Sequence, residues 1–286
     1  MNRDDYDATV DEVMKTVADA APEIRRGLVG RRSKVDEENP SGERQAEADV
    51  WADRLLEEWL LDIDGVGAYA SEEREGIIDG GEGVSITCDP LDGSSNLKPN
   101  AAMGTIIGVY EGELPATGDD LLASAFVLYG PITTMTVARG GTVTEFEVDR
   151  EGERSVVRDD LTLPEEPVVF GFGGRVPDWT DEFETFADEI AQELKLRYGG
   201  AMISDVNQVL TYGGIFAYPA LKSAPEGKLR LQFEGIPIAH IVETAGGASS
   251  DGERSLVEVE PTDLHQRVPV HVGNEALIER LEAGLR

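Results

Sequence analysis

Cys88 is the only cysteine among 286 residues, so an internal disulfide, and redox control through a cysteine pair, are both excluded. It sits in an apolar run, where packing rather than thiol chemistry is its expected role. Lysine is nearly as scarce, with six residues against nineteen arginines, and 57 acidic residues face 25 basic ones for a formal net charge of -32. So acidic a chain repels nucleic acid and anionic membrane surfaces, and neither is expected as a partner. No apolar stretch is long enough to span a bilayer, and Met1-Asn2-Arg3-Asp4-Asp5 is polar and acidic, unlike a secretory leader. A cytoplasmic location is the expectation. The three histidines, His240, His265 and His271, lack metal-ligand spacing and are expected to be structural. The acids run from Asp4 to Glu282 instead of forming one block. That spread suits a whole surface adapted to high salt, as in a halophilic source, better than a patch for one basic partner.

What the chain does have is 40% hydrophobic residues, enough to bury a sizeable core in one large domain or two subdomains. Helical spacing marks residues 6–28 and 44–63. Between 85 and 148 the pattern turns to β-rich runs (105–110, 121–129, 135–138, 142–148) broken by Gly and Pro, as in a meander. Beyond Pro164-Glu165-Glu166-Pro167 the expected order is strand 168–172, helix 178–194, helix 205–211, strand 215–218, strand 229–233, helix 238–245, strand 268–272 and helix 275–281. That proline pair is the best boundary, dividing the chain into 1–165 and 166–286. Periodicity alone gives a mixed α and β chain.

The most informative stretch is Asp89-Pro90-Leu91-Asp92-Gly93-Ser94-Ser95-Asn96, which ends the apolar run Val84-Ser85-Ile86-Thr87-Cys88. The run reads as a buried strand, and Pro90, lacking an N–H, is expected to turn the chain out of it. Asp89 and Asp92 then offer the oxygen ligands that Mg²⁺ prefers, while the Gly93-Ser94-Ser95-Asn96 turn aims backbone N–H groups at an anion. Taken alone, Asp-x-x-Asp-Gly is more often a plain turn.

Other motifs follow in order: Ser41-Gly42-Glu43 with Asp49-Val50, Ser71-Glu72-Glu73, Leu128-Tyr129-Gly130, Arg197-Tyr198 with Met202, and Tyr212-Gly213-Gly214-Ile215-Phe216 leading to Tyr218-Pro219-Ala220. Then come Lys228-Leu229-Arg230-Leu231-Gln232-Phe233-Glu234, Ala245-Gly246-Gly247 and Pro261-Thr262-Asp263-Leu264-His265-Gln266-Arg267. The whole set, from about residue 41 to 281, resembles the class I fructose-1,6-bisphosphatases of the larger Mg²⁺-dependent sugar and inositol phosphatase superfamily.

The resemblance implies a layered α/β/α/β/α sandwich, with the N-terminal part carrying the metal motif and the C-terminal part the sugar-phosphate site. It implies gluconeogenic hydrolysis of the 1-phosphate of fructose 1,6-bisphosphate, using two or three Mg²⁺ ions, or Mn²⁺, per subunit. Glu72, Asp89, Asp92, Glu234 and the Leu91 carbonyl are the implied metal ligands, and Glu73 with Asp49 the implied pair that takes a proton from the attacking water. Glu43 stands where an Asp is usual and is assigned only an outer position. Gly93, Ser94 and Ser95 would hold the 1-phosphate with Arg230. Lys228, Tyr198, Tyr218 and Arg197 would hold the 6-phosphate, Arg197 reaching a neighbouring subunit of a homotetramer, and Met202 would approach the sugar through its backbone. Residues 188–196 lack the Asn and Tyr that family members add there, and Gly83-Val84 replaces the Lys-Tyr pair with which regulated animal members grip AMP. The alternatives are a sedoheptulose-1,7-bisphosphatase or inositol-monophosphatase-like enzyme and, outside enzymes, a silent acidic binding protein.

Overall fold

The computed structural model describes residues 3–32, 34–38 and 44–286, with side chains described for 6–32 and 47–286. Ser41-Gly42-Glu43 lies outside the described residues. Helix α1 (Arg3–Gly27) buries Val10, Val13, Met14, Val17, Ala21 and Ile24 along one face. Strands β1 (Lys34–Glu38) and β2 (Arg44–Ala46) pair antiparallel and lead into α2 (Glu47–Leu61), whose Ala48, Ala52, Leu56 and Leu60 recur every four residues and are fully buried. At Gly27 a Cβ would stand 2.2 Å from the Trp51 ring, so the absence of a side chain lets α2 close onto α1. The Arg31 guanidinium covers that ring from 4.8 Å.

Eight strands form the larger sheet: β3 (Val66–Ser71), β4 (Ile78–Asp79), β5 (Val84–Asp92), β6 (Met103–Tyr110), β7 (Leu121–Tyr129), β8 (Thr133–Arg139), β9 (Thr142–Val148) and β10 (Arg154–Arg158). Their order is β10-β9-β8-β7-β6-β5-β3-β4, antiparallel except where β3 runs parallel to β5. The expected meander is therefore present. After it come β11 (Val169–Phe172), α3 (Asp181–Glu193), β12 (Lys195–Leu196), α4 (Met202–Tyr212), β13 (Gly214–Tyr218), β14 (Leu229–Arg230), α5 (Ile236–Thr244), β15 (Ala248–Ser250), β16 (Arg267–Val268), β17 (Val270–Gly273) and α6 (Glu275–Leu285). The smaller sheet is ordered β12-β11-β13-β17-β15, and β14 pairs with β16 outside it.

Three cores separate the layers. One lies between α1, α2 and the outer face of the large sheet, a second surrounds α4 and α5 between the sheets, and a third joins the small sheet to α3 and α6. The stack is thus α/β/α/β/α, as expected. All nine residues of β5 are buried because both faces are covered, which explains its unbroken apolar run.

Three expectations fail locally, the first at 268–272, where the expected strand divides into β16, paired with β14, and β17, in the smaller sheet. Pro90 does not turn the chain out of the strand: Asp89 opposes Ile106 and Asp92 opposes Gly104, so Pro90 and Leu91 together face Thr105 in a bulge. A bulge tolerates the missing proline N–H, and the Thr105 hydroxyl donates to the Pro90 carbonyl at 2.9 Å. Residues 229–233 are not one strand either. After β14 the chain winds into a π-helical turn, Leu231–Gly235, which keeps Leu231 and Phe233 in the core while swinging Glu234 back towards Arg230. Strand β3, rich in Gly and Ala, carries no clear alternation and was legible in neither pattern.

Candidate active site

Parallel pairing of β3 and β5 sets Ser71 beside Cys88, so the next residue of each strand, Glu72 and Asp89, emerges at the same carboxyl end. The Glu72 N–H donates to the Cys88 carbonyl at 3.0 Å. The π-helical turn adds Glu234, and one oxygen from each of Glu72, Asp89 and Glu234 lies within 4.8 Å of the others. All three carboxylates are buried. Burial first, then the charge of Glu72, raises Asp89 and Glu234 well above the ordinary carboxylate range. A cluster of buried, acceptor-only oxygens with mutual repulsion is the donor set of a hard divalent cation.

Arg230 enters this cluster in two ways: its Nη1 lies 3.0 Å from Glu72 Oε1, and its backbone N–H donates to Glu234 Oε2 at 2.6 Å. It is buried among the carboxylates, closer to the acids than an anion-binding role alone would require. The Leu91 N–H donates to Asp89 Oδ1 at 3.0 Å. Asp92 stands beside the triad, where its Oδ2 accepts from the Ile203 N–H at 2.8 Å, in the first turn of α4. Burial pushes Asp92 up to about 7 against the pull of that hydrogen bond.

A cavity of about 730 Å³ opens over the cluster and takes in every residue assigned above from the sequence except Arg197 and the undescribed Glu43. Gly93, Ser94 and Ser95 line it at the turn after β5, where Gly93 has φ 74 and a Cβ would meet the Ala201 Cβ at 2.2 Å. Only glycine fits both conditions. Glu73 and Asp49 line the same cavity, the Glu73 N–H donating to Ser71 Oγ at 3.2 Å. Tyr198, Met202, Tyr218 and the half-buried Lys228 line it as well. Burial and then the neighbouring Tyr218 push the Tyr198 phenol up to about 12. Arg197 lies outside, exposed at the end of edge strand β12, with its guanidinium 5.6 Å over the Tyr212 ring.

The 89–96 motif and the segment before α4 are joined. Asn96 Nδ2 donates to the carbonyls of Gly199 and Ala102, both at 2.8 Å, and the Gly199 N–H donates to Asp205 Oδ1 at 2.6 Å. Asp205 is buried on α4, which pushes it up to about 7. Behind Glu72 and Glu73, Arg74 ion-pairs with Asp53 at 2.6 Å and with Glu57, and its carbonyl accepts from His265 Nε2 at 2.7 Å. His265 therefore holds the chain behind the carboxylates. None of the three histidines lines the cavity.

Sequence reasoning missed Arg74, Asp205 and the reach of Asn96, whose partners are far away along the chain. It also missed Arg32 and Lys98, which line the cavity too. For Lys98 a signal existed, since it is one of only six lysines and closely follows the Gly93-Ser94-Ser95 turn.

Family models described as the N-terminal and C-terminal domains of fructose-1-6-bisphosphatase match residues 8–158 and 163–286. A class 1 fructose-1,6-bisphosphatase of Natronomonas pharaonis is 63% identical over 278 residues, covering 96% of this chain and 98% of the relative. One of Haloarcula marismortui is 55% identical, covering 97% and 95%. Among solved structures, the holo fructose-1,6-bisphosphatase of Leishmania major superposes with a TM-score of 0.91 at 28% identity, covering 99% of this chain and 95% of that one. A putative sedoheptulose-1,7 bisphosphatase of Toxoplasma gondii reaches 0.88 at 28% identity, covering 97% and 94%. Matched along nearly its whole length by both sequence and fold, the chain belongs to the class 1 fructose-1,6-bisphosphatases.

Proposed function

We propose that this fructose-bisphosphatase, a phosphoric monoester hydrolase of gluconeogenesis, removes the 1-phosphate of D-fructose 1,6-bisphosphate with Mg²⁺ or Mn²⁺ held by Glu72, Asp89, Asp92, Glu234 and the Leu91 carbonyl. The supporting observation is the meeting, in one cavity, of a buried carboxylate cluster with the Gly93-Ser94-Ser95 turn. When bound, divalent cations supply neutralisation of the phosphoryl oxygens and of the developing leaving alkoxide.

The remaining work falls to side chains and backbone. N–H groups of Gly93, Ser94 and Ser95 orient the 1-phosphate, with Arg230 adding charge beside Glu72. Glu73, with Asp49, accepts the proton of the attacking water. Lys228, Tyr198 and Tyr218 hold the 6-phosphate at the far wall, and the backbone at Met202 approaches the sugar. In this reading the N-terminal part, 1–165, supplies most of the metal site and 166–286 the sugar-phosphate wall.

Arg197, exposed on an edge strand, suits a site shared with a second subunit, and a homotetramer is the assembly we infer. No helix among the described residues is long and apolar enough to cross a membrane. A cytoplasmic enzyme fits that and the acidic surface.

Phosphate release from a panel of fructose, sedoheptulose and inositol phosphates, in Mg²⁺ at low and multimolar KCl, tests the reading. Fructose 1,6-bisphosphate should be the best substrate. Equal release from monophosphates would overturn the bisphosphate preference, and a higher rate with sedoheptulose 1,7-bisphosphate would move the assignment to that sugar, to which the Toxoplasma likeness points.

A further inference from the structure

Arg32 and Lys98 line the catalytic cavity yet have no part in the assignment above. Both are exposed, and among the described residues neither side chain forms an ion pair. Lys98 is tied to the phosphate turn itself: it closes the 3-10 turn Ser94–Leu97, its N–H donating to the Ser95 carbonyl at 3.3 Å. Arg32, in the stretch that follows α1, lines the same cavity. It also lines, with Leu97, an adjoining cavity of about 590 Å³ that Arg25 borders.

The other cations of the catalytic cavity are already committed. Arg230 is buried against Glu72, and Lys228 stands at the far wall. Six carboxylates, Asp49, Glu72, Glu73, Asp89, Asp92 and Glu234, share the lining, so the exposed Arg32 and Lys98 are the cations there that the assignment leaves for released inorganic phosphate. In a molar-salt medium the Debye length falls to about 3 Å, and the chain's overall charge is no longer felt at a distance. Only cations in direct contact can then attract a dianion.

We propose that Arg32 and Lys98 form a binding site for the released inorganic phosphate at the mouth of the cavity, which it occupies between the Gly93-Ser94-Ser95 turn and solvent. No bond is made or broken there; the pair sets how strongly phosphate inhibits the enzyme. The proposal rests on the active-site assignment given above.

The test is product inhibition of Arg32→Gln, Lys98→Gln and the double variant in saturating Mg²⁺ and fixed KCl, with inorganic phosphate and fructose 6-phosphate as separate inhibitors. One exposed cation contributes on the order of 1 kcal/mol, so each single change should raise the phosphate inhibition constant about 5-fold and the double change about 25-fold. Lys98→Arg should restore most of the lost phosphate binding. Inhibition by fructose 6-phosphate, which carries only the distal phosphate, should stay as in wild type. A phosphate constant unchanged in the double variant overturns the proposal, and so does an equal rise for both inhibitors. Failure of the wild type to release phosphate from fructose 1,6-bisphosphate would instead overturn the active-site assignment.

Discussion

Asp89 and Glu73 sit in one cavity with opposite burdens. Asp89 is buried among like charges, whereas Glu73 is half-buried at the wall. Asp89→Asn removes one of the repelling charges. In chelator it should melt several degrees higher than wild type while losing both hydrolysis and stabilisation by Mg²⁺, as seen in paired thermal scans and assays. Glu73→Gln should lower kcat by about 10²- to 10³-fold with KM within a few-fold of wild type, the signature of a lost proton acceptor. Asp89 stood out in the sequence through the local spacing of its motif, and Glu73 only through the family resemblance. Arg74 did not, because a lone arginine says nothing about Asp53, Glu57 or His265 until the chain folds.

At the scale of elements, the long helices and the strands of the meander hold in the expected order, while short or Gly- and Ala-rich strands such as β3 and β12 were not foreseen, and two backbone devices depart from expectation at the site. The bulge at Pro90-Leu91 keeps Asp92 on β5, and the π-helical turn brings Glu234 back to Arg230. Alternation along Leu229-Arg230-Leu231-Gln232-Phe233-Glu234 fitted a strand because either form buries Leu231 and Phe233; only the tertiary need to place Glu234 decides between them. The junction of the phosphate turn with α4 is similarly invisible in sequence, since Asn96 and Gly199 are 103 positions apart. Asn96→Ala deletes two partly buried hydrogen bonds, to the carbonyls of Ala102 and Gly199. Unfolding free energy should fall by about 2–3 kcal/mol in denaturant titrations, and KM for the bisphosphate should rise about tenfold.

For the whole molecule, the buried acids link stability to pH. Asp89 and Glu234 lie well above the ordinary range and Asp92 at about 7, so from about pH 4 to 7 the metal-free native chain binds more protons than the unfolded one. Its stability is therefore greatest on the acid side of this window and declines as pH rises through it. Mg²⁺ competes with those protons and should reverse the trend. Melts in chelator should show the midpoint falling between pH 5 and 7.5, and saturating Mg²⁺ should turn that fall into a rise; a chelator midpoint that rises across that interval would contradict the account. The layering itself followed from the family resemblance, because periodicity distinguishes helix from strand but not which faces of two sheets enclose α4 and α5.

Asp92 accepts from the Ile203 N–H in the first turn of α4, so an acid on the metal side and the segment carrying Tyr198 and Met202 share one hydrogen bond. With cation and sugar phosphate placed as proposed, occupancy at either end biases the geometry available to the other, and thermodynamic reciprocity fixes the result: whatever factor the cation contributes to sugar-phosphate affinity, the sugar phosphate returns to cation affinity.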